Sequence, residues 1–247
     1  FVGTSFAHRK KKIDMKKLIL ILVALISYSS VNAQYSPFFK QADAFLKKYV
    51  SDGLVDYNAL KSEPGELEAL VNMIMTEPVS KGEEEKAFLI NAYNILSIRM
   101  VVESMPIDGP REVYGFFEKE MFEVHNERTS LNKLEKEMLY AKFTDPRLHL
   151  VLVCAAKGCP KLAARAYMPD ILDAQLDEQA SEVMNTKGFT RIDSEGKLQL
   201  SSIFEWYLED FKRKGDLMEF VLKYYTGDFK DKSKYSFYDY DWSLNIK

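Results

Sequence analysis

The segment that most constrains the fold is an apolar run near residue 90. EEKAFLINAYNILSIRMVVE, residues 84–103, has apolar side chains nearly all around a helical wheel. A helix of that kind is stable only when it is surrounded by other parts of the protein. We therefore predict a central, buried helix from about Glu83 to Glu103, which ends before Pro106.

Two asparagines lie on or beside the inward face of this helix, Asn91 and Asn94. A buried amide without partners costs about 1–3 kcal/mol, so both side chains need hydrogen-bond partners. Neighbouring loop backbone and a bound ligand are both able to supply them, and the two alternatives stay open. Asn91, Tyr93 and Asn94 are accordingly candidate ligand-binding residues.

Helical patterns outnumber strand patterns in the rest of the chain. The further helical patterns cover residues 38–49, 66–75, 131–140, 172–185 and 202–211. Ser202 and Glu205 fit an S-x-x-E capping box in the last of these. Residues 53–66 indicate a turn and its approach. The strand patterns are a strand and turn from residue 122, a strand at 148–154, a hairpin at 189–200 and a strand at 235–245.

The mixed order of these patterns predicts an α+β fold. We expect a helix-rich single domain around a small antiparallel sheet, with the apolar helix at its centre.

The first residues have the composition of a targeting segment. Residues 1–14 lack an initiating Met and are interpreted as a spurious upstream extension. Residues 15–33 hold two lysines, a short apolar stretch and a small-residue site that ends at Ala33, the pattern of a cleaved signal peptide. We predict that the mature protein begins at Gln34 and is one domain over residues 34–247. The protein is then exported, periplasmic or extracellular, without a stable membrane anchor.

The charge of the chain argues against nucleic-acid binding. The formal net charge is −3. Removal of residues 1–33, which hold six basic residues and one acidic residue, leaves −8. A basic surface is the usual electrostatic requirement for binding nucleic acid, so we expect no nucleic-acid partner.

The two cysteines of the chain are Cys154 and Cys159. In an exported protein such a pair favours a disulfide. The bond requires Cα atoms about 4.4–6.8 Å apart, which a turn through Ala155 to Gly158 meets and a continued strand does not. We therefore predict a disulfide and expect the preceding strand to end at or just after Cys154.

A reactive cysteine is the alternative interpretation. A cysteine nucleophile needs a base within about 3 Å, which in the predicted mature chain is His149 or His125. A regular strand places His149 and Cys154 on opposite faces, about 16 Å apart, so such a pair requires a bulge, or Cys159 in place of Cys154. The Cys-x4-Cys spacing with unpaired histidines is a weak zinc pattern, so neither a metal nor a cofactor is predicted.

Several segments together resemble the DUF547 domain family, over roughly Val55 to Asn245. The most specific parts are the N-x-Y-N helix and residues 145–160, DPRLHLVLVCAAKGCP. The family is uncharacterised, so the resemblance implies a fold and no activity. Glu135 matches a glutamate of the family, whereas Lys136 stands where similar members commonly have histidine.

The candidate catalytic residues are Cys154, Cys159, His149 and, from the family match, Glu135. Glu135 has a second interpretation as an ion-pair partner of Arg147.

Two further clusters have alternative interpretations. Arg147, Lys157 and Lys161 form either a basic rim for a carboxylate or phosphate, with Arg147 as a candidate ligand-binding residue, or a set of solvated cations. The aromatic residues line a sugar or peptide groove or belong to the core; they are Trp206, Tyr207, Tyr238, Tyr240 and Trp242.

Two functions are consistent with these features. The first is a ligand-binding or scaffold module of the cell envelope, with an unknown ligand for which an anion is one candidate. The second is a cysteine-dependent acyl-transfer enzyme such as a peptidase, an amidase or a transglutaminase-like protein.

Overall fold

A computed structural model describes residues 36–213, 215–231 and 234–247 of the chain. The upstream extension and signal peptide predicted over residues 1–33, and Gln34, lie outside these residues. Residues Ser36–Lys247 form one compact unit.

Helices make up most of the regular structure, and the predicted α+β class is confirmed. The helices are α1 (Pro37–Tyr49), α2 (Tyr57–Ser62), α3 (Gly65–Thr76), α4 (Glu83–Ser104), α5 (Leu131–Lys133), α6 (Ala141–Phe143), α7 (Leu172–Asn185), α8 (Ser202–Trp206), α9 (Leu208–Lys212) and α10 (Leu217–Tyr224). A π-helical segment, Leu134–Tyr140, joins α5 to α6. The 3-10 turns are Pro110–Glu112, Pro146–Leu150 and Pro169–Ile171. Among the described helices, none is both long and apolar enough to cross a membrane.

The strands are short and form three small sheets. They are β1 (Val50–Ser51), β2 (Leu54–Val55), β3 (Phe122–Val124), β4 (Glu127–Thr129), β5 (Arg191–Ile192), β6 (Leu198–Ser201) and β7 (Tyr235–Tyr238). β1 pairs with β2 and β3 with β4, both antiparallel. The third sheet has the order β5-β6-β7.

Helix α4 is the centre of the packing, as its sequence predicts. Every residue from Lys86 to Ile98 is buried. The helix contacts α2, α3, the π-helical segment and the turn at Pro169–Ile171. Three glutamates lie in its first turn, where the helix dipole favours negative charge.

Asn91 and Asn94 attach α4 to two loops. Asn91 accepts the backbone N–H of Tyr167 at 2.9 Å and donates to its carbonyl at 2.8 Å. Asn94 accepts the N–H of Val153 at 2.8 Å and donates to the carbonyl of Val151 at 2.9 Å. Both side chains are buried. Of the two alternatives, loop backbone therefore supplies the partners of these amides.

The predicted strand over residues 148–154 is wrong. Residues Pro146–Leu150 form a 3-10 turn instead, and residues 152–154 are irregular. Asp145 starts the turn by accepting the backbone N–H of Arg147 at 3.1 Å. Proline at the first position favours a helical turn because its φ is already fixed near the helical value.

Asn94 takes the place that a neighbouring strand would have. Its side-chain amide forms hydrogen bonds with the carbonyl of Val151 and the N–H of Val153, as a paired strand would. The β-branched, apolar run is therefore buried against a helix and not within a sheet.

The C-terminal sheet is mixed rather than purely antiparallel. β5 and β6 form the predicted hairpin. β7 lies parallel to β6, with Leu198 opposite Tyr235, which corrects the prediction of an antiparallel sheet. Helices α8 to α10 connect β6 to β7, and such a crossover is what allows the two strands to run in the same direction.

The predicted helix over residues 202–211 is interrupted at Tyr207, between α8 and α9. The predicted capping box does not form. Ser201 caps α8 by accepting the N–H of Ile203 at 3.4 Å, while the Ser202 hydroxyl donates to the carbonyl of Tyr238 at 2.5 Å.

The segments that precede α5 also differ in detail from the prediction. The β3–β4 turn is formed by His125 and Asn126, both with positive φ, and not by Asn126 to Arg128. The helix start predicted at Ser130 is confirmed, because its hydroxyl accepts the N–H of Lys133 at 3.2 Å. Residues 53–66 contain β2 and α2 where only a turn was expected.

The chain beyond β7 lies against the loop that carries the cysteines. Ser243 accepts the N–H of Lys157 at 2.8 Å, and Asp241 accepts that of Gly158 at 2.8 Å. A Cβ at Gly158 would lie 2.9 Å from the Asp241 backbone, so this approach requires glycine. The strand predicted through residue 245 ends at Tyr238, and its remainder supports the cysteine loop.

Candidate functional site

A cavity of about 200 Å³, here called the aromatic cavity, lies between α4, the π-helical segment, the cysteine loop and the C-terminal segment. All four candidate catalytic residues line it, and so does one candidate ligand-binding residue, Tyr93. The lining residues are Tyr93, Phe117, Glu118, Asn132, Glu135, His149, Leu152, Cys154, Cys159, Ile203, Trp206, Tyr207, Tyr240 and Trp242.

Glu135 is the acidic group held by the inner wall. Its carboxyl accepts the hydroxyl of Tyr207 at 2.7 Å on Oε1 and that of Tyr93 at 3.3 Å on Oε2. Burial raises the pKa of Glu135, and the Tyr207 hydrogen bond, the charge of Lys136 and the Tyr93 hydrogen bond oppose that rise. Each carboxylate oxygen accepts more than one hydrogen bond, so the group keeps capacity for a ligand.

The position of Glu135 follows from the π-helical segment, a type of helix that occurs frequently at functional sites. The structure does not contain the ion pair between Glu135 and Arg147 that was the alternative prediction.

His149 is buried beside Glu135. Its ring stacks on Tyr207 and Tyr140, with centroids 3.8 Å and 4.6 Å away, and its Nε2 lies 3.2 Å from Asp210 Oδ2. Burial lowers the pKa of His149 to about 3, although the charge of Asp145 acts in the opposite direction. The imidazole is therefore neutral at neutral pH.

His149 and Cys154 are not on opposite faces of a strand, because residues 148–154 do not form one. The separation of about 16 Å expected from strand geometry therefore does not apply, and both residues line the aromatic cavity. The hydrogen bond described for His149 goes to Asp210 and not to a sulfur. His125, the other candidate base, stacks on Phe88 and is not a lining residue.

We expect His149 to make the protein sensitive to moderate acid. Its pKa is about 3 when folded and about 6.5 when unfolded, so in between the unfolded chain binds the extra proton. The stability that the protein gains from keeping His149 neutral is therefore fully present above pH 6.5 and is lost as the pH falls towards 3. Between pH 7 and pH 5 the wild-type protein is expected to lose about 2 kcal/mol more unfolding free energy than His149→Phe. Urea denaturation at both pH values measures this; equal losses would contradict it.

Cys154 and Cys159 lie at disulfide-bonding distance, and their Cα atoms are 6.3 Å apart. The predicted proximity of the two residues is thus confirmed. Cys159 Sγ accepts the backbone N–H of Cys154 at 2.9 Å. The hydroxyl of Tyr240 lies 3.0 Å from Cys159 Sγ and 3.1 Å from Cys154 Sγ.

Aromatic rings form the outer wall of the cavity. Trp206 lies 5.7 Å from Trp242 and 4.9 Å from Tyr240 between ring centroids, and it is 49 % exposed. Arg111 lies over the ring of Trp242 at 5.1 Å and is not a lining residue. Of the aromatic cluster noted in the sequence, all but Tyr238 line the cavity, and Tyr207 and Tyr240 also pack against the hydrophobic core.

The charges of the lining are negative. Glu118 and Glu135 are acidic, His149 is neutral, and none of the described lining residues is Lys or Arg. Across the described part of the chain, no three His, Cys, Asp or Glu side chains form a group suited to a metal ion.

The basic residues predicted as an anion-binding rim lie elsewhere. Arg147 bonds three aspartates, Asp145, Asp173 and Asp177, at 2.7–2.8 Å. Lys157 and Lys161 line a second hollow, which shares Cys159 with the aromatic cavity and also contains Lys187, Arg191 and the acidic Asp241, and Lys161 pairs with Asp52. An anionic ligand at this hollow stays a prediction.

Comparison with known families identifies the segment that builds the inner wall. A family model described as "Protein of unknown function, DUF547" matches residues 78–183. This segment is a DUF547 domain. It contains α4, Glu135, His149 and both cysteines, whereas Trp206, Tyr240 and Trp242 lie beyond the matched DUF547 residues. No curated protein and no solved structure matches the chain.

Proposed function

We propose that the chain is an exported binding domain whose aromatic cavity takes the ammonium head group of a small organic cation. The observation that carries the proposal is the half-buried carboxyl of Glu135 in a cavity whose lining includes six Phe, Tyr and Trp rings.

The aromatic walls favour a cation because ring faces carry negative charge density. Trp is the ring that attracts ammonium groups most strongly, and clusters of Trp and Tyr recognise quaternary ammonium ligands. Trp206, Tyr240 and Trp242 supply such rings on one side, and Tyr93 and Tyr207 supply them on the other. The volume of about 200 Å³ is below the roughly 300–1,000 Å³ of sites for drug-sized ligands, which suits a small head group.

The charges support the same class of ligand. An anion would meet two glutamates and no described basic side chain in the lining, whereas a cation would meet Glu135 directly. Tyr93 and Tyr207 already donate to this carboxyl, an arrangement that suits its ionised form.

The cell-envelope location is part of the proposal. It is supported by the pattern of residues 15–33, which is typical of a cleaved signal peptide. A net charge of −8 for residues 34–247 is consistent with a binding domain that has no nucleic-acid partner.

Cysteine-dependent acyl transfer is the second candidate. It is supported by the presence of Cys154, Cys159, His149 and Glu135 in one cavity. It is the less favoured candidate because His149 bonds Asp210, and because the sulfurs contact each other and Tyr240. A base that does not reach the thiol leaves the nucleophile unactivated.

Choline is a suitable probe for the proposed cation site. Trp206 and Trp242 are the two tryptophans of the chain and both line the cavity, so intrinsic fluorescence reports on it directly. We expect Glu135→Gln, which removes the charge and keeps the shape, to raise the choline Kd at least about 10-fold, or about 1.4 kcal/mol.

Glu118→Gln is the matched control, because Glu118 also lines the cavity but is exposed to solvent. Screening by water makes such a charge contribute little, so a change below about threefold is expected. Equal effects of the two substitutions would contradict a specific role for Glu135.

A further inference from the structure

The two sulfurs are placed for chemistry as well as for cross-linking. Cys154 and Cys159 both line the aromatic cavity, so a small molecule in the cavity reaches them. Cys154 is the more accessible of the two, because Cys159 is only 7 % exposed. An incoming thiolate would therefore attack the sulfur of Cys154.

The sulfur of Cys159 is the one prepared to leave. It accepts the N–H of Cys154 at 2.9 Å, and the hydroxyl of Tyr240 lies 3.0 Å from it and 3.1 Å from Cys154 Sγ. Hydrogen bonds to a thiolate stabilise it and lower its basicity, and a less basic thiolate leaves faster in disulfide exchange.

The backbone keeps the two residues together without relying on the bond between them. Ala155 accepts the N–H of Asn245 at 3.0 Å, and Lys157 and Gly158 donate to Ser243 and Asp241 at 2.8 Å. These contacts hold both ends of the cysteine loop against the C-terminal segment. A reduced pair is therefore expected to stay in position for reoxidation.

We propose that Cys154–Cys159 is an exchange-active disulfide whose substrate is a thiol that enters the aromatic cavity. A substrate thiolate bonds to Cys154 Sγ as the Cys154–Cys159 bond breaks, and Cys159 leaves as a thiolate. A second substrate thiolate then attacks the substrate sulfur of the mixed disulfide and releases Cys154. The substrate thiols are oxidised to their disulfide, and the protein disulfide is reduced to two thiols.

This activity is independent of the proposed cation binding, and a neutral probe keeps the two tests separate. The folded full-length chain is equilibrated with 2-mercaptoethanol and its disulfide at several ratios. The reaction is then quenched with acid, the thiols are alkylated, and mass spectrometry gives the reduced fraction. We expect reversible reduction without unfolding, with near-native circular dichroism throughout.

Tyr240→Phe tests the part of the site that stabilises the leaving sulfur. Loss of the Tyr240 hydroxyl is expected to shift the exchange equilibrium towards the disulfide by at least about 10-fold. This is the effect of one hydrogen bond to a charged group. Tyr238→Phe is the matched control, because its hydroxyl donates to Phe189 and no sulfur contact is described for it. A shift below about threefold is expected there.

A second variant keeps the proposal testable if Tyr240→Phe fails to fold. Cys154→Ser leaves Cys159 as a single thiol, and its rate of alkylation against pH gives its apparent pKa. The titratable groups lining the same cavity are Tyr93, Glu118, Glu135, neutral His149, Tyr207 and Tyr240, and those of the second hollow that Cys159 lines are Lys157, Lys161, Lys187, Arg191, Tyr238 and Asp241. A value below the ordinary 8.5 or so is expected despite the two glutamates. A disulfide that opens only on unfolding, equal shifts in the two tyrosine variants, or an unshifted Cys159 would overturn the proposal.

Discussion

Replacing Asp145 by Asn is expected to lower the free energy of unfolding by about 3–5 kcal/mol. Asp145 lies 2.8 Å from Lys86 Nζ and also accepts two bonds from the Arg147 guanidinium. The side chains of Asp145 and Lys86 are only 6 % and 8 % exposed. The substitution would leave the Lys86 ammonium buried opposite a neutral amide, and an uncompensated buried charge is costly.

Asp145 is also expected to make the protein less stable in strong acid. Burial raises the pKa of Asp145, but the Arg147 hydrogen bond and the Lys86 charge outweigh that effect and hold it well below its usual range. The contribution is therefore present above about pH 4, the unfolded value, and is lost as the pH falls towards the folded value.

Asp173→Asn is the matched control for Asp145→Asn. Asp173 bonds the same Arg147 at 2.7 Å but is 83 % exposed. Exposed ion pairs contribute about 0–1 kcal/mol, so little change in the denaturation midpoint is expected. Similar losses for the two variants in urea denaturation would contradict a special role for burial at Asp145.

Replacing Asn91 by Leu is expected to cost about 2–4 kcal/mol of unfolding free energy. The Asn91 amide bonds both the N–H and the carbonyl of Tyr167, and the site is buried. Leu has a similar size but leaves both backbone groups without these partners. Each buried, unsatisfied group costs about 1–3 kcal/mol.

Asn72→Leu provides the comparison, because Asn72 is an exposed residue of α3. Substitutions of exposed residues usually change stability by less than about 0.5 kcal/mol. An unchanged denaturation midpoint in Asn91→Leu would mean that the contacts with Tyr167 contribute nothing to stability.

Helices were predictable from the sequence where apolar spacing alone determines them. The all-round apolar pattern of residues 84–103 predicts the central helix, and the amphipathic pattern of residues 172–185 predicts α7 with the bounds found. Local periodicity is sufficient in these cases because each helix buries its own apolar surface.

Residues 148–154 show where local pattern fails. A short apolar run is equally compatible with a buried strand and with other buried backbone. Here the choice depends on Asn94, more than 50 residues earlier in the chain, whose side chain bonds Val151 and Val153. The parallel pairing of β7 with β6 also depends on contacts distant in sequence.

The site was predictable in its parts rather than in its arrangement. The motif residues Cys154, Cys159, His149 and Glu135 line one cavity, although strand geometry separated two of them. The contact of Tyr240 with both sulfurs has no sequence signal beyond the aromatic alternation near the C-terminus. Asp210, the partner of His149, lies in the helical pattern of residues 202–211, which gives no sign of this contact.

The aromatic cavity is expected to bind a positive charge in preference to a neutral group of the same shape. The most direct test compares the Kd of choline with that of 3,3-dimethylbutan-1-ol, which has nearly the same shape and no charge. Tryptophan fluorescence of the oxidised, full-length protein at pH 8 measures both. If Glu135 and the ring faces bind the ammonium group, choline binds at least about 10-fold more tightly. Equal affinities, or the absence of choline binding, would contradict the account.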